Sequence, residues 1–593
     1  MLPVSLLLCP GAHAGDLALY QRAAQLIDTS FLRRSSLDHG RMLEDAAQSL
    51  EEQVDWLLTH RDPDGIVLES GSHDWRARVM WHTGDDLPRA LEQLEDAVRG
   101  AGHPLPDIDL RVAILEGTVR SLDRHSVVLA ADGLERFDER LSGTLSGVGT
   151  TISYDEDGLF IRELVSGGPA ERAGLQVGDR LVRVAGVSTV GMVPADATDR
   201  IRGPVGTPVT LLVRREDALV SLTVTREEIS IRNVEARKGP HDVGVITIRH
   251  FSEQTRSWLA EALLELEDLG VVPNGILIDL RGNTGGSLIQ SAQAADTFVE
   301  DGLIVSTVGP DGEPVPGLMP RMEARAEPPH YDVPIAVLQD GATASGSEIM
   351  AGALALLDRA ILVGTTSYGK GTVQKIYQLD ENIKLKLTVA EYLLAGGVKV
   401  ADHGLVPDVA VEDVHIGNNG AWYPAAEDLR LPADTPVLLH TGEDDRTLEV
   451  AAQIVDRAAG GDRGALRDAA AALEPALRAE DEARLFGALR ERGIDWTPGA
   501  VVGTPSVALH WEVTPAPAAG ETARLACSVE NTGPNLRRAA LRIVSDNPLW
   551  DDRVLVVGKL DHGESRTAEV RVPVPEGADA RVDRVDVRLE ADG

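Results

Sequence analysis

Apolar positions at the start of the chain recur at helical spacing. Leu17, Leu19, Ala23, Leu26 and Ile27 fall on one face, and Leu43, Ala46, Leu50 and Val54 repeat the pattern. They predict a mainly helical N-terminal domain over 16–135. The period then shortens, and 145–227 alternates short β patterns with glycine. Over 228–415 the apolar runs at 243–248, 275–280, 335–338 and 361–363 read as buried strands, separated by helical runs at 254–268, 286–298 and 347–358. Such alternation predicts crossover connections over a largely parallel sheet. Residues 430–498 read as a helical segment, Ala-, Glu- and Arg-rich over 443–493 and broken at Gly460-Gly461. From 504 to 593 alternating strands return between turn clusters such as Asn531-Thr532-Gly533-Pro534-Asn535, the pattern of a small Ig-like β-sandwich. The expected class is therefore multidomain α/β.

Composition narrows the partners. The 593 residues are 43% hydrophobic and carry 57 basic against 94 acidic groups, a net charge of −37. That content buries real cores, which excludes wholesale disorder, and the acidic excess disfavours nucleic acid as a partner because a phosphate backbone is repelled. No stretch approaches the roughly 18 to 20 apolar residues of a membrane span, so no integral span is expected. Cys9 and Cys527 are too few for a disulfide framework or a Cys-based metal site. The short apolar start ends in Ala12-His13-Ala14, and 1–14 reads as a secretory leader whose basic start is clipped, which places the protein in the periplasm or cell envelope.

Residues 145–227 carry a recognisable order of motifs. Gly147-Val148-Gly149-Thr150 leads into Thr151-Ile152-Ser153, and Gly168-Pro169-Ala170, Ala173-Gly174-Leu175 and Val177-Gly178-Asp179 follow before the strand pattern of 181–187. The spacing resembles a PDZ domain, in which an extended peptide adds to a sheet edge beside a Gly-rich loop whose N–H groups hold a terminal carboxylate. On that resemblance Gly147, Val148, Gly149 and Thr150 are the candidate peptide-binding residues.

Three further corners follow predicted strands. Gly341-Ala342-Thr343-Ala344-Ser345-Gly346-Ser347-Glu348 precedes a helix, where small residues allow a turn tight enough to expose a hydroxyl and the opening N–H groups are free to hold an anion. Lys370 lies between Gly369 and Gly371, and Arg281-Gly282-Asn283-Thr284-Gly285-Gly286 forms the third corner. In a parallel sheet, corners at strand C-termini converge on one edge. No HExxH or comparable cluster stands anywhere, so neither a metal nor another cofactor is expected. His403 and Asp402 read as solvated loop residues.

Together with Leu122-Asp123-Arg124-His125-Ser126, YGKGTVQ and Gly404-Leu405-Val406-Pro407-Asp408-Val409, these motifs resemble the carboxy-terminal processing peptidases, tail-specific serine peptidases of family S41 with a Ser–Lys dyad. The likeness runs from about Ser121 to Val411. It implies a nucleophile 25 residues before the lysine, hence Ser345 rather than Ser347, with Lys370 as general base and Gln374 helping to position it. Gly346 and either Gly285 or Gly286 would form the oxyanion hole. Ordinary lysine titrates near 10.4, so work near neutrality requires burial of Lys370 away from carboxylates, and a contact with Glu348 would count against the assignment. His125 belongs, by the same likeness, to a structural turn. The expected activity is hydrolysis of exported polypeptides. The flanks, 16–120 and about 430–593, are left to docking on an envelope adaptor or lipoprotein partner, or to homo-oligomer assembly. A catalytically silent scaffold binding through its PDZ module and sandwich is the rival class.

Overall fold

The computed structural model describes residues 16–82, 86–130, 133–134, 139, 141–155, 157–216, 218–325, 331–401, 403–417, 420–424, 437–441, 444–499, 504, 506–513, 522–545, 553–574 and 585–591. The leader read over 1–14, with Cys9, and Asp402 lie outside the described residues. No helix among the described residues is long and apolar enough to cross a membrane.

The architecture is multidomain α/β, built on a seven-stranded sheet. Its strands run, in spatial order, Val234–Lys238, Gly244–Ile248, Ile276–Asp279, Ile335–Gln339, Ile361–Gly364, Val409–Asp413 and Val437–His440. Only the first pair is antiparallel; the others are parallel. A parallel sheet must be covered on both faces. One face carries Ile246, Ile278, Val337 and Leu362 against the helices Thr255–Asp268, Leu288–Asp296 and Gly346–Leu356. The other carries Val245, Leu277, Leu338 and Val363 against Leu448, Ile454, Leu466 and Leu473 of the helices Arg446–Arg457 and Arg463–Glu491.

The expected separate helical segment at 430–498 is therefore corrected. Its strand Val437–His440 extends the core sheet and its helices are the sheet's second layer. Asp408 pins them: its buried carboxylate accepts from the Leu362 N–H (2.8 Å) and from the guanidinium groups of Arg463 (2.9 Å) and Arg467 (2.8 Å). Asp445 and Asp462 cap the two helices by accepting from Leu448 and Ala465 N–H groups.

A second sheet, ordered Arg321–Glu323, Leu303–Val308, Ile383–Leu394 and Thr372–Gln378, joins the core to the N-terminal region, whose strand Val127–Ala130 also pairs with Ile383–Leu394. The N-terminal region is less helical than its periodicity predicts. Four helices, Asp16–Ser30, His39–Gln53, Leu87–Arg99 and Leu110–Arg120, surround a three-stranded antiparallel sheet, Leu57–Asp62, Gly65–Ser70 and Arg76–Met80. The Pro63-Asp64-Gly65 turn closes its first hairpin. A side chain at Gly65 (φ +147°) would stand 2.0 Å from the Val79 carbonyl, so only glycine fits there. The apolar side of this region packs on Leu385, Leu387 and Val389 of the core.

The PDZ-like part is a sheet ordered Ala218–Thr225, Pro208–Arg215, Arg180–Val184, Gly158–Leu164 and Thr150–Asp155, with short helices Pro169–Arg172 and Pro194–Ile201. A two-stranded ribbon, Thr144–Gly147 with Glu227–Ser230, leads into and out of it. At the C-terminal end two sheets face each other across Leu525, Val529, Leu541, Leu555 and Val570. The sandwich borrows chain from the core: the hairpin His415–Gly417 and Gly420–Pro424 belongs to its five-stranded sheet, pairing with Arg553–Leu560.

Candidate active site

The three glycine-rich corners end adjacent strands, Ile276–Asp279, Ile335–Gln339 and Ile361–Gly364, so they meet at one edge of the sheet. Ser345 is the residue before the helix Gly346–Leu356 and has φ 56° and ψ −114°. A side chain at positive φ is strained, and the surroundings hold it there. Its N–H donates to Glu348 Oε2 (2.8 Å), and the buried Tyr392 hydroxyl donates to its carbonyl (3.4 Å). Asp340 braces the loop behind, accepting from the N–H groups of Ala342 and Thr343 and, across the corner, from Gly282 N–H (3.0 Å). Ser345 is half-buried and faces the opening N–H groups of its helix.

The Gly285-Gly286 turn lies against this corner. A methyl group on Gly285 (φ +102°) would stand 2.8 Å from both Gly346 N and Ser345 Cβ. The Gly285 N–H is already engaged, donating to Asn283 Oδ1 (2.9 Å). Gly286 forms a parallel bridge with Phe251 through its neighbours: Phe251 N–H donates to Gly285 O and Ser287 N–H to Phe251 O. In that pattern the N–H of Gly286 itself points away from Phe251. It has no partner among the described residues, and neither has the N–H of Gly346, the first residue of its helix. A methyl on Gly346 would lie 3.5 Å from Gly286 N, so the backbones of the two corners pass close to each other beside Ser345.

Lys370 follows the strand Ile361–Gly364, and Glu348 ties its loop to the serine corner. The fully buried carboxylate accepts from Ser367 Oγ (2.5 Å), Gly369 N–H (2.7 Å) and Lys370 N–H (2.9 Å) in addition to Ser345 N–H. Burial raises its pKa, although the donors around it favour the charged form. The expectation that a contact with Glu348 would count against Lys370 thus meets a particular geometry. The contact is to the lysine's backbone, and no carboxylate among the described residues lies within ion-pair distance of the Lys370 amine. Burial, helped by the positive charge of Lys386 and opposed by Glu348 and Asp123, pushes that amine down to about 8. No hydrogen bond joins Ser345 Oγ to Lys370 Nζ.

The remaining sequence-predicted residues fall as follows. Gln374 lies on Thr372–Gln378, and its amide nitrogen donates to Thr372 (2.9 Å) and Thr388 (3.5 Å) hydroxyls beside the lysine loop. The turn at 122–126 lies beside the lysine loop. Ser126 Oγ accepts from Thr388 N–H (3.1 Å), and Arg124 lies 5.3 Å from the Tyr368 ring centre. The His125 pKa falls through burial and through the charge of Lys370. Gly147, Val148, Gly149 and Thr150 lie apart from this cluster, at the entry to Thr150–Asp155. That strand ends its sheet, so one edge is open beside the helix Pro194–Ile201. Sequence reasoning missed Asn283, Asp340 and the bracing role of Glu348. A polar residue inside an otherwise small-residue corner was the available signal, since a turn buried at a sheet edge must satisfy its own backbone.

Residues 242–411 match the model of Peptidase family S41, and residues 160–215 match that of the PDZ domain. The chain is 34% identical to the carboxy-terminal-processing protease of Bartonella bacilliformis over 304 residues, covering 50% of this chain and 68% of that one. It is 32% identical to the carboxy-terminal processing protease CtpA of Bacillus subtilis over 333 residues, covering 56% and 70%. Among solved structures, a photosystem II D1 C-terminal processing protease aligns at 22% identity and a TM-score of 0.35, covering 67% of this chain and 92% of that one. A serine-type peptidase with a PDZ domain is thus the class of protein in hand. The chain belongs to the carboxy-terminal processing proteases of peptidase family S41, and its substrates are polypeptides.

Proposed function

We propose that Ser345 and Lys370 form the catalytic dyad, with Gly346 and Gly286 supplying the oxyanion hole. What supports this reading is Ser345, held at positive φ beside the Gly285-Gly286 turn, joined through Glu348 to the loop of Lys370, whose buried amine is pushed down to about 8. Substrate binding brings the Lys370 amine to the serine; catalytic hydrogen bonds commonly tighten only in the complex. Ser345 Oγ attacks the peptide carbonyl, its proton passes to neutral Lys370, and the C–N bond breaks as Lys370 returns that proton to the leaving amine. Water then attacks the acyl-enzyme, Lys370 taking its proton and passing it to Ser345 Oγ as the acyl–oxygen bond breaks, which frees the carboxylic product and restores neutral Lys370. The N–H groups of Gly346 and Gly286 stabilise the negative oxygen in both steps. Gln374 supports the loop rather than the amine, through Thr372 and Thr388.

In the same reading, 145–227 captures a substrate C-terminus. Gly147, Val148, Gly149 and Thr150 receive the carboxylate, and the peptide adds to the open edge of Thr150–Asp155. The substrates are exported proteins, and the sandwich is the surface for an envelope adaptor or a second copy. The test is a cleavage assay on an unstructured polypeptide, with fractionation of the producing cells. Ser345→Ala and Lys370→Met should each abolish cleavage, with the protein recovered from the envelope fraction. Full cleavage by Ser345→Ala would refute the dyad.

A further inference from the structure

Asn283 is fully buried, and each of its polar groups is committed. Its N–H donates to Leu280 O (3.1 Å) and its side-chain amide to Ile248 O on the neighbouring strand (2.8 Å). Its side-chain oxygen accepts from Gly285 N–H (2.9 Å). Its carbonyl accepts both Ala344 N–H (3.0 Å) and Ser347 Oγ (2.9 Å), one residue before and two residues after Ser345. One side chain and one peptide unit therefore join the Gly285 turn and the serine corner to the end of the strand Gly244–Ile248. The consequence for Gly286 is geometric. With Gly285 N–H held by Asn283 and Phe251 bridged to Gly285 and Ser287, the Gly285–Gly286 peptide is held on both sides, and its N–H points away from Phe251 where the backbone passes close to Gly346.

We propose that Asn283 is the positioning residue of the oxyanion hole. It touches no substrate; it fixes the peptide that presents Gly286 N–H and registers that peptide against the serine corner through its carbonyl. The inference rests on the dyad reading above, and it adds a residue that reading does not need. A hydrogen-bonded strut of this kind acts only on the state in which the carbonyl oxygen carries charge, because a neutral carbonyl gains far less from an aligned donor.

The experiment compares the full-length protein with Asn283→Ala and Asn283→Asp, measuring kcat and KM on a peptide substrate and the affinity for a peptide aldehyde of the same sequence. The aldehyde forms a hemiacetal with Ser345 and so places an oxygen in the hole. Losing one oxyanion donor costs about 100-fold to 1,000-fold in kcat, and a displaced donor should cost Asn283→Ala about 30-fold or more. Aldehyde affinity is expected to fall by a like factor while KM stays within about twofold. Asn283→Asp keeps an acceptor for Gly285 N–H, so it should retain more activity than the alanine variant, and it keeps the question answerable if Asn283→Ala does not fold. Folding is checked by binding of the uncleaved peptide in the Ser345→Ala background, where adding Asn283→Ala should change nothing. Unchanged aldehyde affinity, or equal loss of peptide binding and kcat, overturns the positioning role. Cleavage that survives Ser345→Ala overturns the dyad itself, and is read separately.

Discussion

On the proposed dyad, the Lys370 amine sets how the enzyme must respond to pH. With its pKa near 8, about one molecule in eleven carries the amine neutral at pH 7, against about one in three thousand at an ordinary 10.5. Burial thus raises the reactive population roughly 300-fold. The sign follows from the proposed role: with the neutral form as base, kcat/KM rises with pH through a midpoint near 8 and runs about tenfold below its plateau at pH 7. An internally quenched peptide assayed from pH 5.5 to 10 at constant ionic strength reads this limb. The groups facing the amine should move it in opposite directions. Lys386→Met removes a cation that disfavours the charged lysine, so the midpoint rises. Asp123→Asn removes an anion that favours it, so the midpoint falls. His125 is the internal control, since its pKa is lowered from 6.5. A midpoint at or below about 6.5 would point to the imidazole as base and refute the argument for Lys370. A midpoint near 10, or one that neither substitution moves, would refute the burial argument.

Two further outcomes follow from packing. Gly286→Ala puts a methyl 2.2 Å from Phe251 O at φ +142°, a conformation alanine avoids, so kcat should fall by at least about 100-fold and stability by about 1–3 kcal/mol, read by thermal denaturation. A chain ended after residue 441 loses the helices that cover Val245, Leu277, Leu338, Ile361 and Val363, each fully buried. At about 1.5–3 kcal/mol per side chain that loss rivals the whole stability of a domain, so the product should be insoluble, whereas a chain still active and soluble would contradict the two-layer arrangement.

Much of the fold and the placing of the glycine-rich corners could be read from the chain because those corners are local. Glycine, small residues and the strand-to-helix change at Ser345 all lie within a few positions of one another, as do those around Lys370. What local pattern could not show is which face each helix covers. The strands at 275–280 and 335–338 are apolar on both sides, which requires two helical layers, yet nothing near them says that the second comes from 446–491. The N-terminal sheet was hidden for a different reason. Residues 57–80 mix charged and apolar positions without clean alternation, and only the Pro63-Asp64-Gly65 turn marks the hairpin. Glu348 read as a threat because sequence gives proximity without direction; its oxygens face backbone N–H groups of the lysine loop, not the lysine's amine.

The hairpin at 415–424 makes the last hundred residues something other than a removable cargo. Its second strand Gly420–Pro424 finds its partner more than a hundred positions later, at Arg553–Leu560. During synthesis that strand must wait, edge bare, until the ribosome has delivered the distant segment, and any proteolytic nick that sheds the segment bares it again. The sandwich thereby works as a seal on the catalytic unit, and a molecule that has lost it advertises the damage as a sticky edge.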